Sequence, residues 1–129
     1  MTYGNKLVFF LFIFLLFFIT GCNKQENFYY ELYDGYRIQK IDDDIKLYKD
    51  FKVVPINDLD YKIEEFKYNS DVTCLKLNDN NYYMIYYVDA SIYGPYDLDS
   101  LNTTTNSLSM AFDKDFIEIM KADGLIYEK

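Results

Sequence analysis

Residues 61–88, YKIEEFKYNSDVTCLKLNDNNYYMIYYV, decide the fold. Three apolar-rich runs, 61–68, 72–77 and 82–88, are separated only by Asn69-Ser70-Asp71 and Asn78-Asp79-Asn80-Asn81. Asn and Asp tolerate the left-handed backbone of tight turns and hydrogen-bond their own main chain there. In the first run, Tyr61, Ile63 and Glu65 lie opposite Lys62, Glu64 and Lys67, with Phe66 adding apolar surface. The third run is apolar on both faces, the pattern of a strand covered from two sides. Strands joined by turns this short predict an antiparallel meander.

Working outward, FYYELY (28–33) reads as an aromatic strand and Asp34-Gly35 as a turn. YRIQKI (36–41) alternates, setting Tyr36, Ile38 and Lys40 against Arg37, Gln39 and Ile41. Asp42-Asp43-Asp44 is a turn, and in IKLYKDFK (45–52) Ile45, Leu47, Lys49 and Phe51 share a face. Pro55 makes residues 53–60 a connection or a sheet edge. Beyond the meander, 89–97 reads as a strand-end turn around Gly94-Pro95. Leu98, Leu101, Thr105, Leu108 and Phe112 then recur at spacings of three and four, one face of a helix opened by Asp97 or Asp99. The run NTTTNS in its middle is poor helix material and invites a break. FIEIM (116–120) fits another short strand. The expected class is mainly β (α+β): an antiparallel meander sheet with one short C-terminal helix packed on it.

The N-terminus has a different character. Residues 7–19, LVFFLFIFLLFFI, are 13 uninterrupted apolar residues preceded by a single charged side chain, Lys6. A bilayer span needs about 20 such residues, whereas this length suits the apolar region of a signal peptide. The run closes in Ile19-Thr20-Gly21-Cys22, which resembles the lipobox of bacterial lipoproteins. The resemblance implies cleavage between Gly21 and Cys22 and a diacylglyceryl group on the Cys22 thiol. Two or three acyl chains anchor stably, at about 0.8 kcal/mol per buried CH₂. Residues 1–21 would then be a signal peptide, 22–27 a tether and 28–129 a single domain, held at the extracytoplasmic face of the cell membrane through Cys22.

Removing residues 1–21 leaves 108 residues, takes away one lysine and no acid, and moves the net charge from −8 to −9. So acidic a chain is a poor fit to nucleic acid and to anionic lipid head groups. With Cys22 lipidated, Cys74 has no disulfide partner; among apolar neighbours it reads as a small buried hydrophobe. The chain has no His and no Trp, and Arg37 is its one arginine.

A broader likeness is carried by DGYRIQKI (34–41), VVPINDLDYKIEEFKYNSDVTCLKL (53–77) and YYMIYYVDASIYGPYDLDSL (82–101), in that order. Together they resemble an uncharacterised small lipoprotein family of Gram-positive bacteria, a domain of unknown function. Tyr93-Gly94-Pro95 is the best-matched element. Tyr87-Val88-Asp89 departs from the family's usual Ile-Leu-Asp. The resemblance implies a lipoprotein with a mainly-β domain and carries no catalytic or binding residues.

Several chemistries lack their parts. Without His there is no Ser-His-Asp or Cys-His site, and the usual zinc sets fail. Gly-rich phosphate cradles are missing. Asp42-Asp43-Asp44, Glu64-Glu65 and Asp97/Asp99 are sequence neighbours on turns and strands, whereas a glycosidase needs two carboxyls across a cleft. Asp42-Asp44, Asp58-Asp60 and Asp97-Asp99 offer hard oxygens for calcium but none completes the full loop pattern, so neither a metal nor a cofactor is expected. A small hydrolase ranks last among the readings, with Glu64, Glu65 and Asp89 the first residues to mutate in testing it. Asn102-Thr103-Thr104 matches a glycosylation sequon by accident. The tyrosines remain, too many for one small core. Tyr83, Tyr87, Tyr93 and Tyr96 are the candidate binding surface, rigid apolar faces with polar tips suited to a protein or cell-wall partner. The competing and preferred account is that the tyrosines line a thin sheet whose second face is partly covered. The expected function is a non-catalytic binding module, or alternatively an immunity-type inhibitor of a cationic toxin or hydrolase.

Overall fold

The computed structural model describes residues 27–119 and 126–127. The leader, Gly21 and Cys22 lie outside the described residues. Within them, two antiparallel sheets and one helix make a mainly-β fold. The first sheet holds β1 (Phe28–Glu31), β2 (Tyr36–Ile41), β3 (Asp44–Lys49), β4 (Lys52–Val53) and β10 (Ile126–Tyr127), ordered β10-β1-β2-β3-β4. The second holds β5 (Ile63–Tyr68), β6 (Val72–Leu77), β7 (Tyr82–Tyr86), β8 (Ile92–Tyr96) and β9 (Ile117–Glu118), ordered β8-β7-β6-β5-β9. The helix, α1, is Leu98–Ser107.

The predicted meander is β5-β6-β7, and β8 extends it. Its two-sided apolarity has a direct cause. Ile63, Phe66, Leu75, Leu77, Ile85 and Tyr87 join Tyr36, Ile38, Ile45 and Leu47 of the first sheet in one buried cluster. On the opposite face, Val72, Cys74, Tyr82 and Met84 form a second cluster with Leu101 of α1. The second sheet is therefore a middle layer, with the first sheet on one side and the helix on the other.

A β-bulge between Ile63 and Glu65 corrects the simple alternation read for β5. One extra residue shifts the register, so Phe66 rather than Glu65 joins Ile63 in the core. Glu64 and Glu65 both approach Lys76 on β6, at 3.7 and 3.4 Å.

Phe51 also departs from expectation. It does not continue the face of Ile45 and Leu47 but sits in a tight turn, 79% exposed, with Asp50 and Phe51 both in the left-handed region (φ 48° and 69°). The Arg37 guanidinium lies between the Phe51 and Tyr29 rings, 4.6 and 4.8 Å from their centroids. The turn returns the chain as β4, a separate two-residue strand, where the sequence pattern runs Lys52 on with Ile45 and puts Val53 in the connection.

The segment 89–97 is not only a turn: Ile92–Tyr96 pairs with β7 as the edge strand β8. The register shifts between Tyr82 and Met84, opposite Gly94-Pro95. Pro cannot donate to a ladder, so its place on an edge strand is the expected one.

Asp97 caps α1, its carboxylate accepting from the Ser100 N–H at 2.7 Å. The acceptor role holds the exposed Asp97 carboxyl below the usual range. Despite its run of Asn and Thr, the helix is unbroken, because Leu101 and Thr105 are buried against the sheet. It ends at Ser107, sooner than the spacing of Leu108 and Phe112 predicts. Ser109 adopts a left-handed conformation (φ 55°), and Met110 N–H and Ser109 N–H donate to Thr105 O and Asn106 O, at 3.0 and 3.1 Å. This crossed pair of hydrogen bonds is the Schellman stop.

Candidate binding cleft

The structure divides the four tyrosines of the expected contact surface. Tyr83 and Tyr87 are 2% and 1% exposed, so neither can offer a face to a partner. The correction follows from topology, since Tyr83 on the interior strand β7 and Tyr87 just past its end both join the core between the sheets. The Tyr83 hydroxyl donates to Asp79 Oδ2 at 2.9 Å, and burial, helped by that carboxylate, pushes its pKa up to about 12. Tyr93, on the edge strand, is 47% exposed and packs edge-on against Tyr86. Tyr96 is half-buried beside the helix-side cluster.

The carboxylates considered for hydrolysis are not brought together. Glu64 and Glu65 flank Lys76 near the end of β6, whereas Asp89 lies beyond the other end of that strand, past the Val72–Tyr86 pair. Asp89 accepts from the Ser91 N–H at 3.0 Å, and hydrogen bonding with the Ser91 side chain and then its backbone holds the Asp89 carboxyl below the usual range. Among the described residues, no three of His, Cys, Asp and Glu gather closely enough to hold a metal ion. Cys74 is fully buried as expected, and burial pushes its thiol up to about 12. Asn102 and Thr103 lie on the exposed side of α1.

A different site emerges where four loops converge at one end of the sandwich. The β1–β2 turn brings Asp34, the β5–β6 turn brings Asp71, the β7–β8 turn brings Val88, and the segment after α1 brings Leu108 and Met110. They enclose an open cleft of about 550 Å³. Asn69 ties its walls together. Its side-chain oxygen accepts from the Asp71 and Val72 N–H groups at 2.8 and 2.9 Å, and its amide donates to Ala111 O at 3.1 Å. Tyr87 N–H donates to Asp71 O at 3.1 Å, fixing the third wall.

The rim is apolar and acidic at once. Val88 is 85% exposed and Leu108 is 53% exposed. Neither Asp34 nor Asp71 is in an ion pair among the described residues, and no lysine or arginine lines the cleft. Tyr87 lies beneath it, its buried hydroxyl without a well-formed hydrogen bond. The hydroxyl of neighbouring Thr73 donates instead to Lys67 O at 3.3 Å. Burial raises the Tyr87 pKa.

Strand direction sets where the cleft faces. The chain enters the first sheet at Phe28, opposite Lys40, and reaches the cleft end at Glu31, opposite Arg37. The cleft therefore opens at the end of β1 away from residue 27. Sequence patterns missed Val88 and Leu108, which read as a strand residue and a helix-face residue. Their only shared signal is that each adjoins a turn; the meeting of loops is a product of topology.

No family model, curated protein or solved structure matches this chain. Among the described residues, no helix is long and apolar enough to cross a membrane.

Proposed function

We propose that this protein is a bacterial lipoprotein, cleaved before Cys22 and anchored through it, that serves as a non-catalytic binding module at the extracytoplasmic face of the cell membrane. The observation that carries the binding half is the open cleft rimmed by exposed Val88 and Leu108 and by Asp34 and Asp71. Exposed apolar side chains grouped around a concavity mark interaction sites more than scattered ones do. The anchoring half rests on the 13-residue apolar run and on Ile19-Thr20-Gly21-Cys22. It does not lean on the family resemblance.

The two halves fit together in space. Residues 23–27 reach at most about 20 Å when extended, so the entry end of β1 would stay near the membrane and the cleft would face outward. The test is affinity capture from detergent-solubilised membranes, comparing the parent with Val88→Ser/Leu108→Ser. A partner retained by the parent and lost from the variant is the expected result. Capture that is identical for both would overturn the cleft as the contact site.

The net charge of −9 in the mature chain favours a second reading, an immunity-type inhibitor of a cationic toxin or hydrolase. Steering by opposite charge raises association rates and makes them fall steeply with salt. Protection that is insensitive to ionic strength would contradict this reading.

A further inference from the structure

We propose that the cleft takes a short cationic polypeptide segment, one aliphatic side chain of which inserts between Val88 and Leu108 while its lysines or arginines face Asp34 and Asp71. The inference rests on the binding-module reading and names the ligand class for the same site.

Charge complementarity comes first. Asp34 and Asp71 are without ion-pair partners among the described residues, and the lining holds no basic side chain to offset them. Anionic polymers and anionic membrane surfaces would meet repulsion there. A ligand with positive charges gains in the same field.

The apolar rim narrows the class further. Val88 and Leu108 expose branched aliphatic carbon, which an aliphatic side chain covers and a purely ionic ligand leaves wet. Sugar rings stack on exposed aromatic faces, but Tyr87 is buried and the Tyr86 ring is occupied edge-on by Tyr93, 5.6 Å between centroids. A neutral glycan would also leave both carboxylates unanswered. About 550 Å³ holds more than one side chain, so a segment rather than a free amino acid suits the space.

The experiment uses the full chain in non-ionic detergent and a fluorescein-labelled, N-acetylated peptide Lys-Ser-Lys-Leu-Lys-Ser-Lys, read by anisotropy at low salt. Controls replace the peptide's leucine by serine, or all of its lysines by glutamate. The leucine peptide is expected to bind about tenfold tighter than the serine peptide, the gain from burying one aliphatic side chain, and the glutamate peptide not at all. Asp34→Asn/Asp71→Asn is expected to weaken binding about tenfold. Val88→Ser/Leu108→Ser is expected to abolish the preference for leucine over serine. These four side chains lie on the rim, and an unchanged thermal transition verifies that each variant folds. Equal binding of the leucine and serine peptides, or affinity untouched by both double variants, overturns the inference. So does displacement of bound peptide by an uncharged wall glycan fragment whose own binding ignores Asp34→Asn/Asp71→Asn; that outcome leaves the binding-module reading standing. The reading itself fails separately, if membrane capture returns nothing that depends on Val88 and Leu108.

Discussion

Tyr61 illustrates how a single side chain settles a local problem in this fold. Val54 N–H donates to Leu47 O at 2.8 Å, and a continued ladder would have Leu47 N–H donate to Val54 O in return. Instead the strands part ahead of Pro55, and the buried Tyr61 hydroxyl bridges the gap. It accepts from Leu47 N–H at 3.1 Å and donates to Val54 O at 2.7 Å. Tyr61→Phe would leave a buried donor and a buried acceptor unsatisfied, a loss of about 2–3 kcal/mol. The measurement is the urea midpoint at unchanged slope, and a loss below about 0.5 kcal/mol would contradict the bridging role. Gly94 is the second such residue. At φ 134°, a Cβ there would stand 2.8 Å from Tyr82 O. Gly94→Ala is therefore expected to lower the thermal midpoint clearly, whereas the neighbouring exposed Tyr93→Ala should cost far less. Neither role was legible in the sequence: Tyr61 read as one face residue of the first meander run, and Gly94 as part of a turn.

At the scale of elements, pattern succeeded where turn chemistry was local and failed where neighbours decide. The meander was readable because Asn69-Ser70-Asp71 and Asn78–Asn81 end strands by their own hydrogen bonding. The limits of β2, 36–41, followed from its alternation and from the turns at Asp34-Gly35 and Asp42-Asp43-Asp44 that bound it. The bulge in β5 was hidden, since nothing local distinguishes Glu64 from the next residue. α1 is the clearest conflict between propensity and packing. Its Asn and Thr residues disfavour helix, yet burial of Leu101 and Thr105 holds it. Leu101→Ala should cost about 2–5 kcal/mol and loosen the helix layer before the sheets, visible as faster amide exchange confined to 98–110. Ser109 stands in the left-handed stop of that helix (φ 55°), so Ser109→Gly is expected to stabilise the protein by up to about 1 kcal/mol. A destabilising result would contradict the stop as described.

The whole molecule is a two-sheet sandwich with a helix on its outer layer, acidic overall and built on buried tyrosines. That composition sets its response to alkali. Burial lifts Tyr61 from 10 to about 12, against a smaller opposing effect of its Leu47 backbone hydrogen bond, and lifts Cys74 from 9 to about 12. Each group prefers its neutral form in the folded state. The stability it contributes is complete below its unfolded pKa, and falls by about 1.4 kcal/mol per pH unit as pH rises toward the folded value. Denaturant midpoints should hold steady from pH 7 to 9 and drop between about 9 and 12; Cys74→Ala should remove the earlier part of that fall. At the same scale the site was least legible. Asp34, Asp71, Val88 and Leu108 come from four separated places in the chain, and only the assembled sandwich puts them around one cleft. The proposed location, by contrast, rests on 22 contiguous residues at the N-terminus. The most direct measurement is therefore the mass of the N-terminal peptide of the protein extracted from the membranes of its native cell. The account predicts a peptide beginning at Cys22 with a diacylglyceryl group on its sulfur. A peptide beginning at Met1 and carrying an unmodified Cys22 thiol would contradict it.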